Sequence, residues 1–167
     1  LSVLQQVKHP HILPILAIGF HKEIPYVITE YLPSGSLYKR FQHGIKQPIH
    51  MKEAILTLAQ VGQALYSAHQ RQVVHGSLRP QNVVFTTQNE TLVTGFYYHA
   101  LLLPNEAEES ARQESSIYRA PEQLPGQASE KGDQYALGCL GYALFTGSQA
   151  FTVPSASIPG TYYKTKS

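Results

Sequence analysis

The stretch His75-Gly76-Ser77-Leu78-Arg79-Pro80-Gln81-Asn82, continued by Val83-Val84-Phe85, decides how the rest of the chain is read. It gathers an imidazole, a hydroxyl, a guanidinium and an amide, with a proline that cannot join a hydrogen-bond ladder, and so reads as an ordered loop. The apolar run after it predicts a short strand Asn82–Thr86. Gln88-Asn89-Glu90 turns the chain into a second strand, Thr91–Thr94. Upstream, Met51 to Gln72 places Ile55, Leu58, Ala59, Gly62, Leu65, Tyr66 and His69 on one face at i, i+3, i+4 spacing, which predicts a long amphipathic helix feeding the loop. Downstream, Asp133 to Thr146 carries Leu137, Leu140, Tyr142, Ala143, Leu144 and Phe145 on nearly every side, so that helix expects cover all round.

The outer parts are simpler. Leu1, Val3, Leu4 and Val7 have helical spacing, stopped by Pro10. Ile12–Phe20 and Tyr26–Tyr31 are rich in β-branched and aromatic residues, with His21 to Pro25 as the turn of an antiparallel hairpin. Ser36, closing the loop Pro33-Ser34-Gly35-Ser36, would cap a short helix from Leu37 to about Gln42. Tyr97 to Ser116, with Glu106, Glu108, Glu109 and Glu114, reads as an exposed loop. Ala120-Pro121-Glu122-Gln123 reads as the start of a short helix. The Ser-, Thr- and Pro-rich tail from Pro154 has no periodicity.

The 167 residues fit one domain with a real core. A formal charge of +2 from scattered Lys and Arg gives no reason to expect nucleic acid or an anionic membrane as partner. No apolar run reaches the length of about 18 residues that a membrane span needs. The single cysteine, Cys139, excludes an internal disulfide and points to a reducing, cytoplasmic setting. His9-Pro10-His11 has no Cys or carboxylate partner at ligand spacing.

Several signatures occur in the order that protein kinases use, and the chain resembles that superfamily, in the style of bacterial Ser/Thr kinases of the eukaryotic type. His75 to Asn82 resembles the catalytic loop H-R-D-L-x-x-x-N. Lys8-His9-Pro10-His11-Ile12 resembles the passage from the regulatory helix to the fourth strand, and Tyr26 to Leu32 the fifth strand running into the hinge. Gly95-Phe96-Tyr97 stands in the place of Asp-Phe-Gly. Tyr118-Arg119-Ala120-Pro121-Glu122 matches the end of the activation segment, and Asp133 to Gly138 the start of the central large-lobe helix. The implied fold is α+β, a partial protein-kinase-like fold over residues 1–153: a small-lobe β-hairpin remnant and hinge (1–32), then the helical first half of the large lobe (33–153), with an irregular tail at 154–167. The Gly-rich loop, the strand-three Lys and the helix Glu would fall ahead of Leu1, so a middle segment of a kinase-like domain is expected.

The resemblance also marks departures. Ser77 occupies the position of the catalytic Asp, and a neutral hydroxyl is a poor base near pH 7; losing such a group costs about 10²–10⁴ in rate. Gly95 occupies the position of the metal-binding Asp. That leaves Asn82, a single neutral amide, as a feeble Mg²⁺ ligand. Arg79 stands for the loop Lys and keeps its charge. ATP is the implied cofactor, held by backbone groups of Glu30 and Leu32 behind Thr29, with Ser36 and Val84 beside it. Leu4, Ile15, His75 and Phe96 fall where an active kinase stacks its regulatory spine. Val84, Leu37, Leu140 and Leu144 fall on the adenine-side column. Glu122 and Asp133 are structural positions, Asp133 as acceptor for the backbone around His75. Three functions are open: a pseudokinase module for protein or nucleotide interaction, a Ser/Thr kinase weakly active once completed by missing segments, or a non-functional gene fragment. An isolated hairpin is marginal in water, so a protein partner is expected.

Overall fold

The computed structural model describes residues 7–22, 24–42, 49–96, 117–123 and 128–151. Of the predicted helix from Leu1 to Val7, residues 1–6 lie outside them, as do the acidic loop at 97–116 and the tail at 154–167; Val7 itself is not helical. The described chain is α+β, with two separate two-stranded antiparallel sheets and three α-helices. No helix among these residues is long and apolar enough to cross a membrane.

The first hairpin pairs β1 (Ile15–His21) with β2 (Ile24–Thr29), in register from Ile15 opposite Thr29 to His21 opposite Ile24, with a bulge near Ala17. Gly19 faces Tyr26 so closely that a Cβ there would collide with the phenol ring. β1 starts later than the sequence suggests, at Ile15 and not Ile12, and β2 is shifted two residues toward the N-terminus relative to the predicted Tyr26–Tyr31. Pro14 has no N–H to give, and Ile12 before it forms a parallel bridge with Val93 instead of extending β1. After Thr29 the chain leaves the sheet, and the Gly35 N–H closes a turn on the Leu32 carbonyl at 3.2 Å.

Helix α1 (Leu37–Gln42) forms where expected, with Ser36 Oγ accepting from the Lys39 N–H at 3.4 Å. Arg40 on α1 lies with its guanidinium carbon 3.4 Å from the centre of the Phe85 ring and pairs with Glu53 at 2.6 Å. That contact fastens α1 to the next helix and to the second hairpin.

Helix α2 (Met51–His69) is three residues shorter than the periodicity predicts. It ends in a Schellman arrangement: the Val73 N–H reaches the Ala68 carbonyl at 3.0 Å and the Gln72 N–H reaches His69 at 2.8 Å, with Gln72 at φ 59°. Its buried face also differs from the expected one. Ala54, Thr57, Val61, Ala64, Leu65 and Ala68 are buried, while Ile55, Ala59 and Tyr66 are exposed. Small residues won that face because the helix is pressed closely against its neighbours.

The closest of these is α3 (Glu130–Thr146), capped by the Ser129 hydroxyl, which accepts from the Gly132 N–H at 3.0 Å, and closed by Gly147 at φ 69°. Leu58 of α2 lies over Gly141, and Leu137 of α3 over Gly62. Leu140, Ala143 and Leu144 are buried, whereas Tyr142 and Phe145 are exposed, so the all-round apolar pattern is covered on part of its surface only.

The second hairpin is β3 (Val83–Phe85) with β4 (Thr91–Val93). The predicted strand Asn82–Thr86 is trimmed at both ends: Pro80–Asn82 is a 3-10 turn, and Thr86 starts the connecting turn by donating to the Glu90 carbonyl at 2.9 Å. Bridges from Ser36 to Val84 and from Ile12 to Val93 flank it. Ala120 to Gln123 is a turn and not the start of a helix. Its ends are joined by the Gln123 N–H to the Ala120 carbonyl at 2.9 Å and by the Ala120 N–H to Gln123 Oε1 at 3.1 Å.

Candidate functional site

The site grows out of the end of α2. Once the Schellman turn has reversed the chain and buried Val73, residues 75–82 run across the N-terminus of α3. There Asp133, fully buried, holds the loop. Its Oδ2 accepts from the His75 N–H at 2.9 Å and from His69 Nε2 at 2.7 Å, and its Oδ1 from the Gly76 N–H at 2.8 Å. Two of those donors are successive backbone amides brought together by Gly76 at φ 68°, a left-handed conformation that costs a residue with a side chain about 1–2 kcal/mol. The glycine and the aspartate therefore belong to one device. Asp133 acts as the structural acceptor the sequence suggested. The His69 contact was not foreseen, because nothing in a periodic pattern ties position 69 to position 133. The clue available was a buried carboxylate, which needs several donors.

His75 is packed and not presented to a substrate. Its Nδ1 accepts from the Ser77 N–H at 3.2 Å, and its Nε2 lies 2.9 Å from the Thr94 carbonyl, an arrangement that requires the neutral Nε2–H tautomer. Phe96 rests on it with ring centroids 4.5 Å apart. Phe96 and Ile15 line a common cavity of about 470 Å³ with Thr94, Gly95, Leu13 and His9. Three of the four predicted spine positions, Ile15, His75 and Phe96, are thus brought together; Leu4 lies outside the described residues. Leu37, Leu140 and Leu144 share one buried core, while Val84, half-buried, points to the opposite face of β3 from Val83 and Phe85.

Asn82 is buried, and its Nδ2 donates to the Ser77 carbonyl at 2.7 Å. Its own carbonyl accepts from the Thr94 N–H at 2.9 Å, which ties the loop to the chain just before Gly95. Ser77 and Arg79 line a small concavity with Gly76, Tyr118, Arg119, Gln123 and Asp133. Gly95, at φ 93°, offers no side chain to the 470 Å³ cavity. Among the described residues no three His, Cys, Asp or Glu side chains converge as a metal centre would need. Of the expected nucleotide contacts, Ser36 and Val84 are brought together by their bridge. Thr29 ends β2 half-buried, its hydroxyl 3.4 Å from the Glu30 carbonyl; Glu30 is exposed and Leu32 half-buried. Glu122 is exposed on its turn.

Comparison with known proteins agrees with this geometry. The family model for the protein kinase domain matches residues 1–160. Over 150 residues the chain is 32% identical to the serine/threonine-protein kinase PrkC of Bacillus subtilis, covering 89% of this chain and 23% of that protein. It is 32% identical to a calcium/calmodulin-dependent protein kinase of Emericella nidulans over 156 residues, 90% of this chain and 37% of the relative. It is 28% identical over 159 residues to an inactive leucine-rich repeat receptor-like serine/threonine-protein kinase of Arabidopsis thaliana, 90% of this chain and 24% of that protein. The chain therefore spans well under half the length of these relatives.

Proposed function

Since this chain belongs to the protein kinase family, we propose that it is a pseudokinase-type domain, which binds a protein or a nucleotide without transferring phosphate. One observation carries the reading. Among the described residues lining the concavity beside the loop, the only carboxylate is Asp133, from the first turn of α3, and both of its oxygens are committed to His69, His75 and Gly76. Ser77, a neutral hydroxyl, is a poor base in its place, and Gly95 has no side chain to stand for a metal-binding carboxylate. Phosphoryl transfer rests on a positioned base and on cations that neutralise developing charge. The donors here do not fit Mg²⁺, which asks for hard and usually anionic oxygens. Nucleotide, where it binds, is read by the backbone of Glu30 and Leu32, beside Thr29, Ser36 and Val84.

A second reading, a weakly active Ser/Thr kinase completed by further segments, draws on the retained scaffold: His75 under Phe96, and Asn82 holding Ser77. A thermal-shift titration with ATP, with and without Mg²⁺, run beside a radiolabel transfer assay, separates the two. The pseudokinase reading expects stabilisation by nucleotide that is indifferent to Mg²⁺, or none, with no sustained transfer. Transfer that requires Mg²⁺ and is lost in Ser77→Ala would overturn it.

A further inference from the structure

Ahead of β1 the chain carries a cluster that the site does not use. His9 and His11 stand with ring centroids 5.6 Å apart, tilted by 59°. Lys8 is exposed beside them, and the charge of Arg71, past the end of α2, is felt at His9. Arg71 is kept in place by its Nη1, which donates to the Ser67 carbonyl at 2.7 Å and to Ser67 Oγ at 2.9 Å. The ion pairs among the described residues are Arg40 with Glu53 and His69 with Asp133, so no carboxylate there pairs with His9, His11 or Arg71.

The two imidazoles are bonded in opposite senses. His11 Nδ1 lies 3.0 Å from the Thr91 carbonyl, so it carries a proton, and charging that ring leaves the bond in place. His9 Nδ1 accepts from the His11 N–H at 3.1 Å, so a proton there removes the lone pair that the bond uses. The same few residues hold β4. The Val93 N–H donates to the His11 carbonyl and the Leu13 N–H to the Val93 carbonyl, both at 2.9 Å. The Ile12 N–H closes the turn on the His9 carbonyl at 3.0 Å. Next to Val93 stands Thr94, whose carbonyl receives the His75 Nε2–H. His9 also walls the 470 Å³ cavity that Phe96 lines.

We propose that His9 is an acid-sensitive latch on β4. A proton taken up at its Nδ1 breaks the hold on the His11 N–H and adds a positive charge facing Arg71, Lys8 and the His11 ring. Residues 9–13 then loosen from Val93, and the loosening reaches the 75–82 loop through Thr94 and His75. Burial first, then the charges of His11 and Arg71, hold the folded His9 ring below its ordinary value. The opened segment therefore binds the proton more readily than the closed one, and acid favours opening. The latch is closed above the ordinary value of about 6.5 and is released as pH falls through it. The opening is local, because α2 and α3 are held by buried apolar contacts that do not titrate. The latch works in the same way whether or not the chain transfers phosphate.

The test is amide hydrogen exchange on the whole protein, followed by NMR between about pH 7.5 and 5.5 and corrected for the intrinsic exchange rate. On acidification the Leu13 and Val93 amides are expected to lose about threefold more protection than those of Ala64 in α2 and Leu140 in α3. His9→Asn keeps an acceptor for the His11 N–H and cannot titrate, so it should abolish that difference. Arg71→Gln removes one of the facing charges and should reduce it. In the wild type the midpoint of the loss should coincide with the titration of the His9 Cε1–H resonance, a readout that needs no variant. Equal changes in protection at all four amides would overturn the inference. So would a differential loss that persists in His9→Asn, or one whose midpoint lies away from the His9 titration.

Discussion

The loop at His75 and the hairpin β1–β2 are held by opposite means. Most of the polar groups that hold the loop are met inside the protein, Asp133 by three donors, His75 on both ring nitrogens and Asn82 through side chain and backbone, while Arg79 Nε and Gln81 Oε1 are buried with no hydrogen-bond partner among the described residues. The hairpin has its ladder and little else. Leu16, Phe20, Ile24, Tyr26 and Ile28 are exposed, with Ile24 at 68%. Residues 75–82 carry no carboxylate of their own while the supports of the loop are in place, so what they offer is shape. In the hairpin the apolar side chains remain without a described surface to bury them. The first region is stabilised from within, and the second is apolar surface of the sort that marks an interface.

The sharpest way to break this contrast is Asp133→Ala. It strands the His75 and Gly76 amides and His69 at a buried position, and removing one partner from such a network costs about 3–5 kcal/mol. Urea denaturation, with its slope checked for two-state behaviour, measures it. A loss under about 1 kcal/mol would mean that water reaches the loop and replaces the carboxylate, and the contrast with the hairpin would collapse.

Gly76→Ala is the next in size. At φ 68° a Cβ costs about 1–2 kcal/mol even though no hydrogen bond is removed. This variant separates backbone strain from the Asp133 network. If it costs nothing, the loop adopts another conformation and the paired amides are not its support.

These two residues also show what was legible in the sequence. The loop, the family and the role of Asp133 were readable because a motif states its spacing outright. The helix at 51–69 was readable from its length, but its buried face was misjudged. Hydropathy favours Ile55 and Tyr66, whereas close packing selects Ala54, Ala64 and Ala68, and no single-sequence pattern encodes which neighbour presses on a helix. The turn at Ala120 was misread for a related reason. Gln123 closes it by folding back on its own backbone and lying against Gly132, a local competition that propensity does not see. His69 with Asp133 joins positions 64 residues apart, and only the fold reveals it.

A pH series probes the segment ahead of β1, which is hydrogen-bonded to Val93 of β4. Burial first, then the nearby charges of His11 and Arg71, hold the His9 imidazole below its ordinary value. Its Nδ1 accepts from the His11 N–H at 3.1 Å, a bond that needs the neutral ring. With the folded pKa depressed, the unfolded chain takes up the proton more readily. The contribution of His9 is therefore present above the unfolded value of about 6.5 and is lost as pH falls through it. His9→Asn keeps an acceptor and cannot titrate. The stability difference between wild type and this variant should shift modestly against the wild type between about pH 7.5 and 5.5. A flat difference would mean that His9 is fully solvated.

The smallest effect is expected at Ile24, the most exposed of the large apolar side chains in β1 and β2. Ile24→Thr keeps a β-branched residue in β2 and removes apolar surface that touches water, so stability should change by no more than about 0.5 kcal/mol. This near-zero result is informative beside the large loss at Asp133, because both positions belong to ordered backbone and differ in what surrounds them. A loss above about 1 kcal/mol in the isolated chain would show that the hairpin face is packed against something after all, since only buried apolar area carries that much free energy. The same substitution leaving stability untouched while weakening association with a partner protein would locate the interface on this face and leave the loop as the part that stands alone.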